Sequence, residues 1–228
     1  MPRVGMDWNV IRGSEEINNM YQYNTAKRDT GFRRAVSWVM AYLLVIWVVH
    51  IFSVITGGWI SGFGIHPRDI SSLPYIFTAP FLHVSFSHLI SNSVPGAIFI
   101  FLIALSGNRV VVEVTLIAMV IGGFGTWVFG GWGTNHIGAS GLIYGWLSYL
   151  IIRGLFNRHF GQVALGIVLA FFYAGYIWGV FPNEPGISWQ AHLFGAIGGV
   201  IAGATITSDD PIALIQKRQQ KRLERRGR

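Results

Sequence analysis

The chain has 228 residues, of which 52% are hydrophobic and only 12% are charged, and its formal net charge is +7. This composition excludes an ordinary soluble domain and favours a helical membrane protein. Because the chain has no cysteine, disulfides and thiolate metal sites are excluded as well.

Six apolar stretches follow one another along the chain. Each predicts a membrane-spanning helix, because backbone groups inside a bilayer must be satisfied within their own segment. We therefore predict an all-α membrane protein with a cytoplasmic N-terminal leader at 1–34, a six-span domain at 35–207 and a basic cytoplasmic tail at 208–228. The polar leader is not expected to be a cleavable secretory signal. The six stretches cover roughly residues 35–55, 88–106, 110–132, 140–152, 161–180 and 190–207.

The basic residues predict the orientation of these spans. A six-span arrangement places sixteen of the seventeen Lys and Arg residues on one side, with Arg68 alone opposite. The positive-inside rule makes that side cytoplasmic, with both termini inside a multi-pass protein of the cell membrane. The tail from Lys217 onward is expected to lie near anionic lipid headgroups. Nucleic-acid binding is not expected, because the charge is spread over all the cytoplasmic segments and no nucleic-acid motif accompanies it.

The fourth stretch is short and begins with a serine. Its apolar residues run from Ser140 to Ile152 and end at Arg153, which corresponds to roughly 20 Å against a hydrocarbon layer of roughly 30 Å. If Arg153 marks the cytoplasmic surface, Ser140 lies on the order of 10 Å below the outer surface. A hydroxyl at that depth is costly unless it lines a wet cavity, so this segment predicts a functional site.

Spans two, four and six all run from outside to inside, which brings the polar residues at their starts to a similar depth. His88 and Asn92 open span two, four residues apart and on one helix face. Both can donate hydrogen bonds, and the backbone N–H of Ser140 is unpaired at a helix start. Together these donors form a candidate oxyanion hole. The alternative is that His88 and Asn92 only tie down neighbouring loops.

A base for Ser140 is expected on span six. Small residues at Gly141 and Gly195 favour close packing of spans four and six, which would bring His192 within hydrogen-bond reach of Ser140. Tyr144, one turn below Ser140, could stack on the imidazole. No Asp or Glu lies in the outer halves of the spans, so we expect a Ser–His dyad rather than a triad. A purely structural role for His192 is the alternative.

The remaining histidines carry weaker expectations. His83 either buttresses the loop before span two or reaches the cavity. His136 follows a glycine-rich stretch and is expected in the back wall of the site, with no chemistry assigned. We interpret His50, His66 and His159 as interfacial residues.

These motifs resemble those of the rhomboid family of intramembrane serine proteases, in its prokaryotic six-span form. The matching motifs are His88-x-x-x-Asn92, Gly138-Ala139-Ser140-Gly141 with Tyr144, and Ala191-His192-x-x-Gly195. They occur in family order on spans two, four and six, and the resemblance covers roughly residues 35–207.

The resemblance implies roles for the residues of these motifs. Ser140 would be the nucleophile and His192 the general base, while His88, Asn92 and the Ser140 N–H would hold the oxyanion. Tyr144 would support His192, with Gly138, Gly141 and Gly195 as further supporting residues. The implied substrates are single-span membrane proteins cut near their outer ends, by a site that opens to the extracytoplasmic side. Neither a metal nor another cofactor is implied.

Three questions stay open at this point. The chain could instead be an inactive rhomboid-like protein that binds membrane clients, or a small transporter, although its polar groups cluster in the outer half of the spans only. Many relatives carry a Trp-Arg pair in the first outer loop, whereas Trp59 and Arg68 are separated here, so the anchoring of that loop is open. The loop at 181–189 is expected to cap the site, and movement of span five is expected to admit substrate sideways.

Overall fold

The computed structural model describes residues 8–182, 186–210 and 214–215, with side chains from Thr30 onward. Over these residues the chain is helical and forms no strand beyond one isolated bridge between Ile65 and His136. The predicted all-α class is confirmed. The α-helices are α1 (Trp8–Ile55), α2 (Phe86–Ser106), α3 (Asn108–Phe129), α4 (Ser140–Asn157), α5 (Phe160–Phe172) and α6 (Trp189–Thr205).

Each predicted apolar stretch coincides with one of these helices, the fifth with α5 and the short 3-10 helix Ala174–Val180. Within the described residues, three helices are long and apolar enough to cross a membrane, namely Thr30–Ile55 of α1, α2 and α3. A fourth is added if α5 and Ala174–Val180, which are bent by 69° to each other, count as one span. The molecule is therefore a multi-pass membrane protein.

Helix α4 is the centre of the bundle, since it packs against α2, α3, α5 and α6. Its contact with α6 is made through glycines on both helices. A Cβ on Gly195 would overlap the carbonyl oxygen of Gly141, and one on Gly199 would overlap that of Gly145. The close packing that the small residues predict is confirmed.

The C-terminal end of α4, which the sequence predicts to be cytoplasmic, differs from the prediction. The helix continues past Arg153 to Asn157, so it is about 27 Å long, and Arg153 is only 2% exposed. Its guanidinium forms ion pairs with Asp209 and Asp210 and donates to the Gly203 carbonyl at 2.9 Å. The interpretation of Arg153 as a surface marker is wrong, because buried carboxylates replace the water that this charge would otherwise need.

This correction also removes the argument for the depth of Ser140 from the length of its helix. The first residues of the predicted basic tail are held against the bundle. Ser208 donates to Glu113 of α3 at 2.6 Å, and Asp209 pairs with Arg153 of α4. The tail from Lys217 onward lies outside the described residues. At the other end of the chain, α1 passes the predicted leader boundary at residue 34 without a break.

The loop between α1 and α2, predicted as the first outer loop, is anchored to the end of α3 by Arg68. Its guanidinium donates to the carbonyls of Val128 at 3.1 Å and Gly130 at 2.7 Å. It also lies 4.4 Å above the ring of Trp132, in a cation–π contact. The arginine thus caps the last turn of a helix, and its aromatic partner comes from the loop after α3 instead of from a neighbouring residue.

Candidate active site

Ser140 and His192 lie in direct contact near the N-terminal ends of α4 and α6. Ser140 is the first residue of α4, and its Oγ is 2.8 Å from His192 Nε2. His192 Nδ1 is 2.9 Å from the carbonyl oxygen of Gly179. A carbonyl only accepts, so Nδ1 carries the hydrogen and Nε2 accepts the Ser140 O–H. This is the tautomer that a general base requires.

The imidazole of His192 is also held by an aromatic ring. Tyr144 stacks on it with ring centroids 4.2 Å apart and ring planes 9° apart. The Tyr144 hydroxyl donates to the Tyr176 carbonyl at 2.9 Å. Tyr176 and Gly179 both belong to the short helix Ala174–Val180, so this segment holds both the base and the ring that supports it.

Gly179 is a site residue that the sequence does not reveal. It acts through its backbone carbonyl, which every residue type possesses, so no side-chain pattern marks it. A Cβ there would overlap the Tyr144 hydroxyl and lie 3.2 Å from His192 Nδ1. A glycine between hydrophobic residues could have suggested a close approach, but not the group approached.

His88 and Asn92 line the same cleft as Ser140 and His192. His88 is half-buried and Asn92 is 4% exposed. His88 Nδ1 and Asn92 Nδ2 are buried and find no hydrogen-bond partner among the described residues. Polar atoms left in this state are uncommon, and they suit a charge that exists only during a reaction.

Gly138 allows the oxyanion candidates and the serine to come together. Its φ is 125°, a conformation that side chains disfavour. A Cβ at this position would lie 2.6 Å from His88 Cε1. Two residues later the chain enters α4, so the backbone N–H of Ser140 belongs to the first turn and has no partner within the helix.

The cleft that contains these groups has a volume of about 980 Å³. It is bounded by the starts of α2, α4 and α6 and by the loop before α6, including Pro182 and Gly186. Residues 183–185 of the predicted cap lie outside the described residues. A second cavity of about 40 Å³ adjoins Ser140 and is lined by small residues such as Ala79, Gly122 and Gly123.

The other histidines are placed as follows. His83 is buried, 5.1 Å from His88 between ring centroids, so it lies behind the oxyanion candidate. His50 is 3% exposed and packs against Phe86, so the interpretation of His50 as interfacial is wrong. His159 is exposed and caps α5. His66 is half-exposed on the outer loop.

His136 lines the cleft, and its ring bonds to Ser188 at the start of α6. Burial, followed by the neighbouring His66, lowers the pKa of His136 below its ordinary value. Among the described residues, no group of three or more His, Asp or Glu side chains could hold a metal ion.

The bundle and its cleft thus define an all-helical membrane protein with a Ser–His pair at the start of two packed helices. The sequence model of the Rhomboid domain matches residues 71–209. The chain therefore belongs to the rhomboid family, which confirms the predicted family, and members of this family are generally intramembrane serine proteases.

Individual relatives are similar over most of the chain. An uncharacterised protein of Mycobacterium tuberculosis is 35% identical over 188 residues, which are 79% of this chain and 78% of the relative. A Mycobacterium leprae protein, also uncharacterised, is 34% identical over 198 residues, or 81% and 78% of the two chains. A Bacillus subtilis protein named "Putative rhomboid protease YdcA" is 31% identical over 130 residues, or 55% and 63%.

Proposed function

We propose that this protein is an intramembrane serine endopeptidase that cleaves the transmembrane segments of single-span membrane proteins. The observation that carries the proposal is the 2.8 Å contact between Ser140 Oγ and His192 Nε2. The Gly179 carbonyl holds the imidazole in the accepting tautomer, so the contact joins a nucleophile to a base and not merely two polar groups.

The reaction follows from this arrangement. Ser140 Oγ attacks the substrate carbonyl carbon while its proton passes to His192 Nε2. The imidazolium then gives that proton to the leaving amine as the C–N bond breaks, which leaves an acyl-enzyme on Ser140. Water attacks the ester, with His192 again taking and returning a proton, and the free serine is restored.

Three donors stabilise the charge that develops on the substrate oxygen. Asn92 Nδ2 and His88 Nδ1 have no hydrogen-bond partner within the described residues, and the Ser140 N–H lies in the first turn of α4. The helix dipole adds partial positive charge at the same place. Such preorganised donors stabilise the transition state more than the ground state.

The substrate class follows from the cavity next to Ser140. Its volume of about 40 Å³ is a few times the roughly 10–15 Å³ that one buried water molecule needs. We therefore propose that this cavity holds a small side chain of the substrate, next to the bond that is cleaved. Glycine, the smallest residue that the cavity could take, also has a low helix propensity, which favours local opening of a transmembrane helix.

The membrane arrangement is part of the proposal. All six helices cross the bilayer, both termini are cytoplasmic, and the cleft opens on the extracytoplasmic side of the cell membrane. The distribution of the basic residues supports this orientation. The basic tail then lies near anionic headgroups.

Substrate enters sideways between α5 and α2 as α5 moves. The 69° bend after α5 supports this route, as does the contact of Tyr173 at that bend with Phe99 of α2 at 4.8 Å between ring centroids. A cross-link between α5 and α2 should stop cleavage. Unchanged cleavage in the cross-linked protein would exclude the route.

The test of the activity compares wild type with Ser140→Ala and His192→Ala, each reconstituted with a single-span substrate. We expect both variants to lose cleavage by about 10⁴- to 10⁶-fold, and a fluorophosphonate to label Ser140 in wild type only. Thr205→Ala is the control, because that hydroxyl donates to the Ile201 carbonyl of its own helix at 2.7 Å, at the far end of α6. Equal cleavage by all of these proteins would exclude the dyad. Substrate capture without cleavage would favour the client-binding alternative.

A further inference from the structure

A second serine and a second histidine bond to each other beside the first pair. His136 Nδ1 lies 2.6 Å from Ser188 Oγ, and both residues line the cleft that holds Ser140 and His192. His136 lies four residues before Ser140, and Ser188 lies four residues before His192. The bond therefore joins the two chain segments that lead into the candidate nucleophile and base.

The hydrogen-bond partners define how this second pair is protonated. Thr134 Oγ1 donates to the Gly131 carbonyl at 2.6 Å, so it accepts from His136 Nε2 at 2.7 Å. With its hydrogen on Nε2, neutral His136 has Nδ1 free to accept, and the Ser188 hydroxyl donates to it. Ser188 Oγ in turn accepts from the Ala191 N–H at 3.3 Å, as the cap of α6.

The histidine of this second pair is fixed from the backbone as well. His136 N–H donates to the Ile65 carbonyl at 2.9 Å, and the Ile65 N–H donates to the His136 carbonyl at 3.0 Å. The first outer loop is itself held on α3 by Arg68. The backbone of His136 is therefore attached to a loop that is fixed on the bundle. A chain of bonds thus runs from the anchored loop to the first turn of α6.

We propose that His136 and Ser188 are positioning residues that set the register of α6 against the Ser140 segment, and that they do so through neutral His136. The inference rests on the proposed function of Ser140 and His192. Neither residue touches the reacting atoms. Their bond keeps His192 Nε2 at hydrogen-bond distance from Ser140 Oγ, and a shift of about 1 Å there is enough to lower a rate by about 10²-fold.

Protonation of His136 reverses the polarity of the pair. Nδ1 then donates, Ser188 Oγ accepts from it, and the Ser188 hydroxyl loses its acceptor. The titratable groups nearby are His66 on the outer loop, and His88 and His192 in the same cleft. None of these can carry the negative charge that would favour protonated His136. Positioning is therefore complete above the pKa of His136 and weakens as the pH falls through it, because the Ser188 hydroxyl is then left without an acceptor.

The first experiment is a double-mutant cycle on the full-length protein in proteoliposomes. Ser188→Ala and His136→Leu should each lower kcat and the rate of fluorophosphonate labelling of Ser140 by about 10- to 100-fold. Because both variants lose the same His136–Ser188 bond, the loss in the double variant should be well below the product of the two single losses. Losses that multiply in the double variant, or wild-type rates in either single variant, would overturn the proposal.

Conservative variants separate positioning from folding. Ser188→Thr keeps the hydroxyl and the cap, and His136→Asn keeps an acceptor near the place of Nδ1 but cannot be protonated. Both should stay within a few-fold of wild-type kcat. The acid limb of the plot of log kcat against pH should be less steep in His136→Asn than in wild type, because one of two protonations is gone. Acid limbs of equal slope would also contradict the proposal.

The same measurements separate this inference from the proposed function. If wild type cleaves, Ser140→Ala does not, and Ser188→Ala equals wild type, the dyad stands and the positioning pair fails. If Ser140→Ala cleaves as well as wild type does, the proposed function fails first.

Discussion

At the scale of single residues, a backbone carbonyl orients His192 where a Ser–His–Asp triad uses a carboxylate. The Gly179 oxygen accepts the Nδ1 hydrogen at 2.9 Å, which fixes the tautomer. A carbonyl carries no full charge, so it stabilises an imidazolium less than a carboxylate does. The stacked ring of Tyr144 therefore matters more for holding the base.

Tyr144 provides a test of that stacking. Tyr144→Leu removes the ring and should lower kcat by about two- to tenfold, since an aromatic pair contributes about 0.5–1.5 kcal/mol. Tyr144→Phe keeps the ring and loses only the hydrogen bond to the Tyr176 carbonyl, so its kcat should stay closer to wild type. Both are measured by cleavage of a single-span substrate. Equal losses in the two variants would assign the effect to the hydroxyl.

Sequence reasoning finds residues of the site whose chemistry lies in a side chain at a regular spacing. Four residues could be predicted in this way, because three helices that run in the same direction bring their first turns to one level. They are His88, Asn92, Ser140 and His192. The bond between His136 and Ser188 could not be predicted from the sequence, because loop geometry determines which residues of two distant loops come into contact. For the same reason the partner of Arg68, Trp132, could not be read from the sequence.

At the scale of helices, the distance between α4 and α6 determines whether the dyad forms. Gly199→Ala tests this distance, because its Cβ would overlap the Gly145 carbonyl and Ser148 Oγ. We expect the free energy of unfolding to fall by about 1–3 kcal/mol and cleavage to fall with it, because α6 carries His192. Thermal unfolding in detergent and a cleavage assay measure the two effects.

The control for this variant is Gly31→Ala on α1. Its nearest neighbour to the new Cβ would be the Arg34 side chain at 3.8 Å, an ordinary contact. Alanine is also the better helix former, by about 1 kcal/mol. If both variants unfold and cleave as wild type does, the close approach of α4 and α6 is not required.

The ion cluster at the other end of α4 allows a prediction about stability alone. Arg153→Leu leaves the Asp209 and Asp210 carboxylates buried without their cation, which should lower the free energy of unfolding by about 3–5 kcal/mol. Arg109→Leu is the matched control, because its ion pair with Glu113 is exposed on the arginine side and should contribute at most about 1 kcal/mol. Similar stabilities of the two variants would contradict a buried cluster.

This cluster also shows why the fold was only partly predictable. Apolar stretches locate the helices well, because a bilayer demands continuous apolar segments. They do not show which charges are paired inside the bundle. Asp209 lies 56 residues after Arg153, so the sequence alone made the arginine look like a helix end.

At the scale of the whole molecule, the orientation in the membrane can be measured with single cysteines, since the chain has none of its own. Ile70→Cys lies on the first outer loop at a residue that is 77% exposed, and a membrane-impermeant maleimide should label it in intact cells. Arg109→Cys, in the first turn of α3, should react only after the membrane is opened. The reverse pattern would invert the proposed topology.

The positions of Asp209 and Asp210 in the sequence also determine when Arg153 can be paired during synthesis. Helix α4 is synthesised before Asp209 and Asp210, so the guanidinium of Arg153 has neither of these partners until that later segment packs against α4. His192 arrives in the same late segment. Pairing of the buried arginine and contact of Ser140 with His192 thus both depend on the same later segment of the chain.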